Sequence, residues 1–111
     1  MFERFREQGP MNYPCVKRVS NRMLGEMLRM MLSDSVHFDL TFEEGRTLSR
    51  AFTAVAFDWR RTDSIYLSPV GCDDEFSAAV TQDGLNVDTA RGAQHLNWDN
   101  VTELAERLAV E

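Results

Sequence analysis

The sequence predicts a small α+β domain in which about four mostly antiparallel strands form one sheet against about three helices. Apolar residues recur at steps of three and four in some segments, alternate with polar residues in others, and turn signals separate the two patterns. Of the 111 residues, 43% are hydrophobic and 27% are charged, which is typical of one folded domain. We expect a short N-terminal segment at 1–10, ended by Gly9-Pro10, and a single domain over 11–111.

The longest predicted helix covers residues 14–32. Apolar residues recur there at the spacing of one helical face, namely Val16, Val19, Met23, Met27 and Met30. Methionine is flexible and polarizable, and it serves adaptable binding surfaces. We therefore expect this face to be the stripe that contacts the core, or to hold a second copy of the chain through Met23, Met27 and Met30, and both can hold at once.

A strand and a further helix are predicted next. Apolar and polar residues alternate between positions 36 and 42, which indicates a strand with one buried face. Thr41 and Glu44 fit a capping box, in which each side chain accepts a hydrogen bond from the backbone of the other residue. This favours a helix over 43–60, although the β-branched residues within 48–57 leave a strand open there.

The second half is predicted to contain a strand at 64–70, a hairpin at 76–87, a loop at 89–97 and a helix at 98–110. The hairpin is the clearest of these, because Asp83-Gly84 lies between two alternating runs. Either Asn97 or Asp99 suits the N-cap of the last helix.

Charge is distributed unevenly along the chain. The net charge is −6, with residues 1–33 at +3 and the remaining residues at −9. An acidic surface repels phosphate backbones, so we expect no direct nucleic-acid binding and instead a protein partner with a basic surface. A charge that only keeps the protein in solution is the alternative. The predicted partner-binding residues are Asp73, Asp74, Glu75, Asp83, Asp88, Asp99, Glu103 and Glu106.

The sequence also predicts a location. No apolar run approaches the ~18 residues that a membrane span needs, and the first residues lack the apolar core of a secretory signal. We expect a cytoplasmic protein without membrane contact, in which Cys15 and Cys72 are reduced.

No motif for catalysis, metal binding or a cofactor is present, so we expect none of the three. His37 and His95 are the only histidines, and they lack the local pairing of zinc ligands. Cys72 with His95 would be the one nucleophile and base pair, but the acidic run Asp73–Glu75 beside the thiol opposes its ionisation. The glycines are isolated and form no phosphate loop.

Three functions stay open at this stage. The leading hypothesis is a non-enzymatic protein-binding module, for example an acidic inhibitor or immunity-type protein that docks on a basic partner which handles nucleic acid. The second is a structural or assembly subunit that forms a homodimer through the methionine-rich helix. The third is a small enzyme or ligand-binding domain around Cys72 and His95.

Overall fold

The computed structural model describes residues 12–109, which form two antiparallel sheets and two α-helices. The α+β class is therefore confirmed, whereas the single sheet and the third helix are wrong. The predicted boundary after residue 10 lies outside the described residues. In chain order the elements are β1 (Cys15–Asn21), β2 (Gly25–Met31), β3 (His37–Leu40), α1 (Phe42–Phe57), a 3₁₀ turn (Trp59–Arg61), β4 (Ser64–Leu67), β5 (Phe76–Thr81), β6 (Gly84–Thr89), β7 (Gly92–Asn97) and α2 (Trp98–Leu108).

The helix predicted over 14–32 is wrong, because this segment is the β1–β2 hairpin. The Asn21 carboxamide oxygen accepts the backbone N–H groups of Met23 and Leu24 at 2.8 and 2.9 Å, which closes the turn. Gly25 then begins β2 with a φ of 81°, a conformation that favours glycine. Both faces of β2 are buried near its end, so its apolar residues lack the alternation that marks a strand exposed on one side.

This correction changes the position of the three methionines. Met30 lies in the main core and Met27 is buried on the opposite face of β2, so both are inaccessible to a second copy of the folded chain. Met23 lies in the β1–β2 turn and is 90% exposed. Self-association itself stays a prediction, but two of its three predicted residues belong to the interior of the monomer.

The first sheet has the order β1-β2-β3 and the second the order β4-β5-β6-β7. The predicted strands at 36–42 and 64–70 are confirmed as β3 and β4, each shorter than predicted. The predicted hairpin is confirmed as β5–β6, with Gln82 and Asp83 as its loop. The loop predicted at 89–97 is wrong, since β7 pairs with β6 from Gly84–Asn97 to Thr89–Gly92.

Both helices begin at a side-chain cap. The Thr41 hydroxyl accepts the Glu44 N–H at 3.0 Å and the Glu44 carboxylate accepts the Thr41 N–H at 2.9 Å, so the predicted capping box is confirmed. The helix predicted over 43–60 is therefore confirmed as α1, and the alternative strand within 48–57 is wrong. For α2 the cap is Asn97, whose side chain accepts the Asn100 N–H at 2.8 Å.

The two helices pack antiparallel to each other. The buried Ser49 hydroxyl on α1 donates to the Ala105 carbonyl on α2 at 2.6 Å. Gly45 lies close to the end of α2, where an added Cβ would be 3.2 Å from the Leu108 carbonyl oxygen. Inward side chains of both helices and both sheets form one apolar cluster, so the described residues share a single core.

We expect Met30→Ala to lower the free energy of unfolding by about 2–5 kcal/mol, because removal of the buried side chain leaves a cavity in the core. Met23→Ala is the matched control, and at an exposed turn it should change that free energy by less than about 0.5 kcal/mol. Urea unfolding followed by tryptophan fluorescence measures both. Equal effects of the two substitutions would contradict the burial described here.

Candidate functional site

A cleft of about 490 Å³ opens where the two sheets meet. One wall is the start of β3 with the loop before it, the second is the turn that precedes β5, and the third is the β6–β7 turn. These segments are distant in sequence, so the cleft exists only in the folded chain. We call it the acidic cleft, and its lining residues are Ser35–Phe38, Cys72, Asp74, Glu75, Ser77 and Asp88–Arg91.

The turn between β4 and β5, which forms one wall, is fastened to α1 and to the first sheet. The second carboxylate oxygen of Glu44 accepts the Val70 N–H at 3.1 Å, while the first completes the capping box. Gly71 lies so close to β2 and β3 that an added Cβ would collide with the Met27 side chain and lie 3.3 Å from the Asp39 carbonyl oxygen. A Cβ here would displace the flexible end of the Met27 side chain, so the turn packs closely against both strands.

The acidic cleft carries an excess of negative charge. Asp74, Glu75 and Asp88 face a single guanidinium, that of Arg91, with His37 as the remaining titratable base. The three carboxylates are exposed, and none of them forms an ion pair with another residue of 12–109. Carboxylates grouped in this way raise the local concentration of cationic groups.

Two exposed side chains with apolar surface, which the sequence analysis did not single out, lie in the strand and the turn that lead to Asp74 and Glu75. Tyr66 on β4 is 60% exposed and Val70 in the following turn is 70% exposed. Tyr66 stands opposite Ser77, which stands opposite Asp88, so the three form one row across the outer face of the second sheet. The alternation around Ile65 could have placed Tyr66 on the outer face, because the side chains before and after a buried strand residue point outward.

Tyr66 is also coupled electrostatically to the carboxylates. The pKa of Tyr66 is raised from its ordinary value, chiefly by the interaction of its phenol with the Glu75 carboxylate. The ring thus lies beside the acidic cleft while most of its surface stays in contact with solvent.

The structure divides the eight predicted acidic residues among different places. Asp74, Glu75 and Asp88 line the acidic cleft, and Asp73 is in the turn that forms its wall. Asp83 lies at the opposite end of β6, roughly 16 Å from Asp88 by the rise of an extended strand. The start of α2 is at that same end, since the Trp98 indole donates to the Gln82 carbonyl at 2.8 Å. The other three, Asp99, Glu103 and Glu106, are exposed on α2.

Cys72 lines the acidic cleft, whereas His95 does not. His95 lies on β7, where its Nδ1 is 2.7 Å from the Asn86 carboxamide oxygen. The Cys72 thiol donates to the Asp74 carbonyl at 3.5 Å. Burial is the main cause that raises the pKa of the Cys72 thiol, and the nearby carboxylates add to it. A raised pKa lowers the thiolate population at neutral pH and so disfavours a nucleophilic role.

Within residues 12–109, no group of three or more His, Cys, Asp or Glu side chains is arranged to hold a metal ion. In the same part of the chain, no helix combines the length and the apolarity needed to cross a bilayer.

Comparisons with protein-family models, curated proteins and solved structures found nothing that matches this chain.

We expect Glu44→Gln to lower the free energy of unfolding by about 1–2 kcal/mol, because glutamine has one accepting oxygen where the carboxylate has two, so one of the two backbone N–H groups loses its acceptor. Glu43→Gln is the matched control, since Glu43 is exposed in the same helical turn. Urea unfolding of both variants measures the difference. Indistinguishable losses would show that the second accepting oxygen of Glu44 contributes nothing to stability.

We expect the thiol of Cys72 to alkylate with a pH midpoint above that of a small unstructured peptide thiol. Burial disfavours the thiolate, so the reactive fraction at a given pH is smaller than in the peptide. The rate of reaction with iodoacetamide is measured against pH in a Cys15→Ser background, and the same protein in urea should regain the midpoint of the peptide. A midpoint below that of the peptide would instead support a nucleophilic cysteine.

Proposed function

We propose that this protein is a non-enzymatic protein-binding module that docks on a basic segment of a partner protein through the acidic cleft. The observation that carries this proposal is the set of three exposed carboxylates, without ion pairs among residues 12–109, around a cleft whose wall is already fixed. Tyr66 adds exposed apolar area to the same surface, since its row across the second sheet reaches Asp88.

The chemistry of the acidic cleft fits arginine or lysine side chains. A guanidinium forms charge-assisted hydrogen bonds with carboxylates, and two such bonds form in parallel where one carboxylate meets it side-on. Tyrosine supplies large contact area at a small cost in conformational entropy and is enriched among the residues that dominate binding energy. A wall anchored by the Glu44 bond to Val70 reduces the ordering cost of binding.

The narrower proposal is an inhibitor or immunity-type protein that covers the nucleic-acid site of a basic partner. Its support is the charge pattern, because residues 34–111 carry −9 and the acidic cleft concentrates three of these carboxylates at one end of the second sheet. Carboxylates can occupy positions on a basic surface that phosphates would otherwise take. The alternative of an enzyme around Cys72 is disfavoured by the raised pKa of that thiol.

A fluorescein-labelled nine-residue peptide that contains several arginines is a direct probe of this proposal. We expect the triple variant Asp74→Asn, Glu75→Gln, Asp88→Asn to raise the Kd of the peptide by about tenfold or more at low salt, because each lost charge removes an attractive contact. Anisotropy titration measures the Kd, and higher salt should weaken the wild-type complex.

The matched control carries the same charge change elsewhere, as Asp63→Asn, Asp83→Asn and Glu43→Gln. It should alter the Kd by less than about threefold, since those side chains lie outside the acidic cleft. Tyr66→Ala should also raise the Kd of the peptide, and this rise should persist at high salt because the contact is apolar. Equal losses in the two triple variants would show that binding follows net charge, and would refute the assignment to the acidic cleft.

A further inference from the structure

A second exposed surface of definite character lies on the outward faces of α1 and α2. A shallow groove of about 370 Å³ runs between the two helices, lined by small side chains that include Thr53, Ala56, Thr102 and Ala105. Phe57, the residue after Ala56, is 90% exposed. Small residues permit the backbone of another helix to approach closely, and the exposed phenylalanine ring offers apolar area that burial would stabilise.

The contacts between the helices define their mutual register. Ser49 donates to the Ala105 carbonyl and Gly45 approaches Leu108. Because the helices are antiparallel and each residue advances 1.5 Å, Arg50 stands at the level of the turn that contains Glu103 and Glu106. The end of α1 at Phe57 correspondingly stands at the level of the first turn of α2.

The two helices present opposite charges. Beyond its first turn, the charges of α1 are Arg46, which is half-buried, and Arg50, which is exposed, whereas α2 exposes Asp99, Glu103 and Glu106. The one cation on α2 is Arg107, which pairs with Glu103 at 3.3 Å. Neither Arg50 nor Glu106 forms an ion pair with another residue of 12–109. Glu106 lines the groove on the α2 side, and the exposed Arg50 follows the lining residue Ser49 on the α1 side, so opposite charges flank the groove.

We propose that this helical face binds a second copy of the chain, with a twofold axis parallel to the helices. Such an axis places α1 of each copy over α2 of the other, and the two facing helices are antiparallel. A twofold rotation does not move a residue along the axis, so equivalent residues of the two copies lie at the same height. Arg50 of one copy then faces Glu106 of the other, since Glu103 is already paired with Arg107, and the symmetry forms this contact twice. The helix dipoles oppose each other favourably, and Phe57 covers the first turn of the facing α2.

This interface is separate from the acidic cleft and does not depend on the proposed function. It also replaces the predicted self-association through Met23, Met27 and Met30, because the latter two are buried within the monomer. Complementary charge on the two sides of one groove is the reason to choose a second copy as its occupant. A groove that is only apolar would carry no such preference.

Sedimentation velocity of the full chain, from about 5 to about 500 µM at low salt, tests the proposal. We expect a dimer whose dissociation constant rises about tenfold or more in Arg50→Glu and in Glu106→Arg, since each substitution creates like-charge contacts at both symmetric positions. The double variant restores the opposite charges and should return within about threefold of the wild type. Arg22→Glu is the control for an equal charge change at an exposed turn, and it should leave the dimer unaffected.

Phe57→Ser tests the apolar part of the interface without a charge change and should also weaken the dimer about tenfold. Urea unfolding of each variant verifies that it folds. A monomer at the highest concentration would overturn the proposal and leave the groove to a different protein. A dimer that resists both Arg50→Glu and Phe57→Ser, or that the double charge reversal does not restore, would equally overturn it.

Discussion

Phe76 is the contact on which the arrangement of this fold depends. Its ring meets Phe38 of the first sheet edge-on at a centroid distance of 5.4 Å and meets Phe52 of α1 at 5.8 Å. All three rings are almost fully buried. Aromatic pairs in such tilted and edge-on geometries add to the stabilisation that burial alone gives. Because Phe76 is the first residue of β5, the same contact joins the second sheet, the first sheet and α1 into one core.

The acidic cleft is a consequence of this contact. Phe76 directly follows Asp74 and Glu75, so its insertion between the sheets leaves those two carboxylates at the surface beside β3. The carboxylate of Glu44 acts at the other end of the same turn, where it accepts backbone N–H groups of Thr41 and Val70. One glutamate thus starts α1 and anchors the cleft wall, and the geometry of the surface is coupled to the helix that supports it.

The local parts of this fold could be predicted from sequence and the non-local parts could not. The capping box at Thr41 and the Asp83-Gly84 hairpin depend on side chains a few residues apart, and both were found. The β1–β2 hairpin was missed because apolar residues on both faces of β2 remove the period of two. The strand β7 was missed because Ala93, Gln94 and His95 carry no apolar alternation. The acidic cleft joins three segments that only the folded core brings together, and no spacing along the chain indicates it.

Net charge alone could not separate the carboxylates that maintain the fold from those available to a partner. Asp39 holds Arg29 through two bonds of 2.8 and 3.1 Å, and Glu44 is occupied by backbone N–H groups. Such groups gain their stabilisation from fixed internal partners, and a docking protein would have to break those bonds to use them. Asp74 and Asp88 form no ion pair with another residue of 12–109. A cation of a partner can therefore bind them without breaking an existing ion pair. The relevant quantity for recognition is therefore the charge left over after internal pairing, and three of the carboxylates that make up this remainder line the acidic cleft.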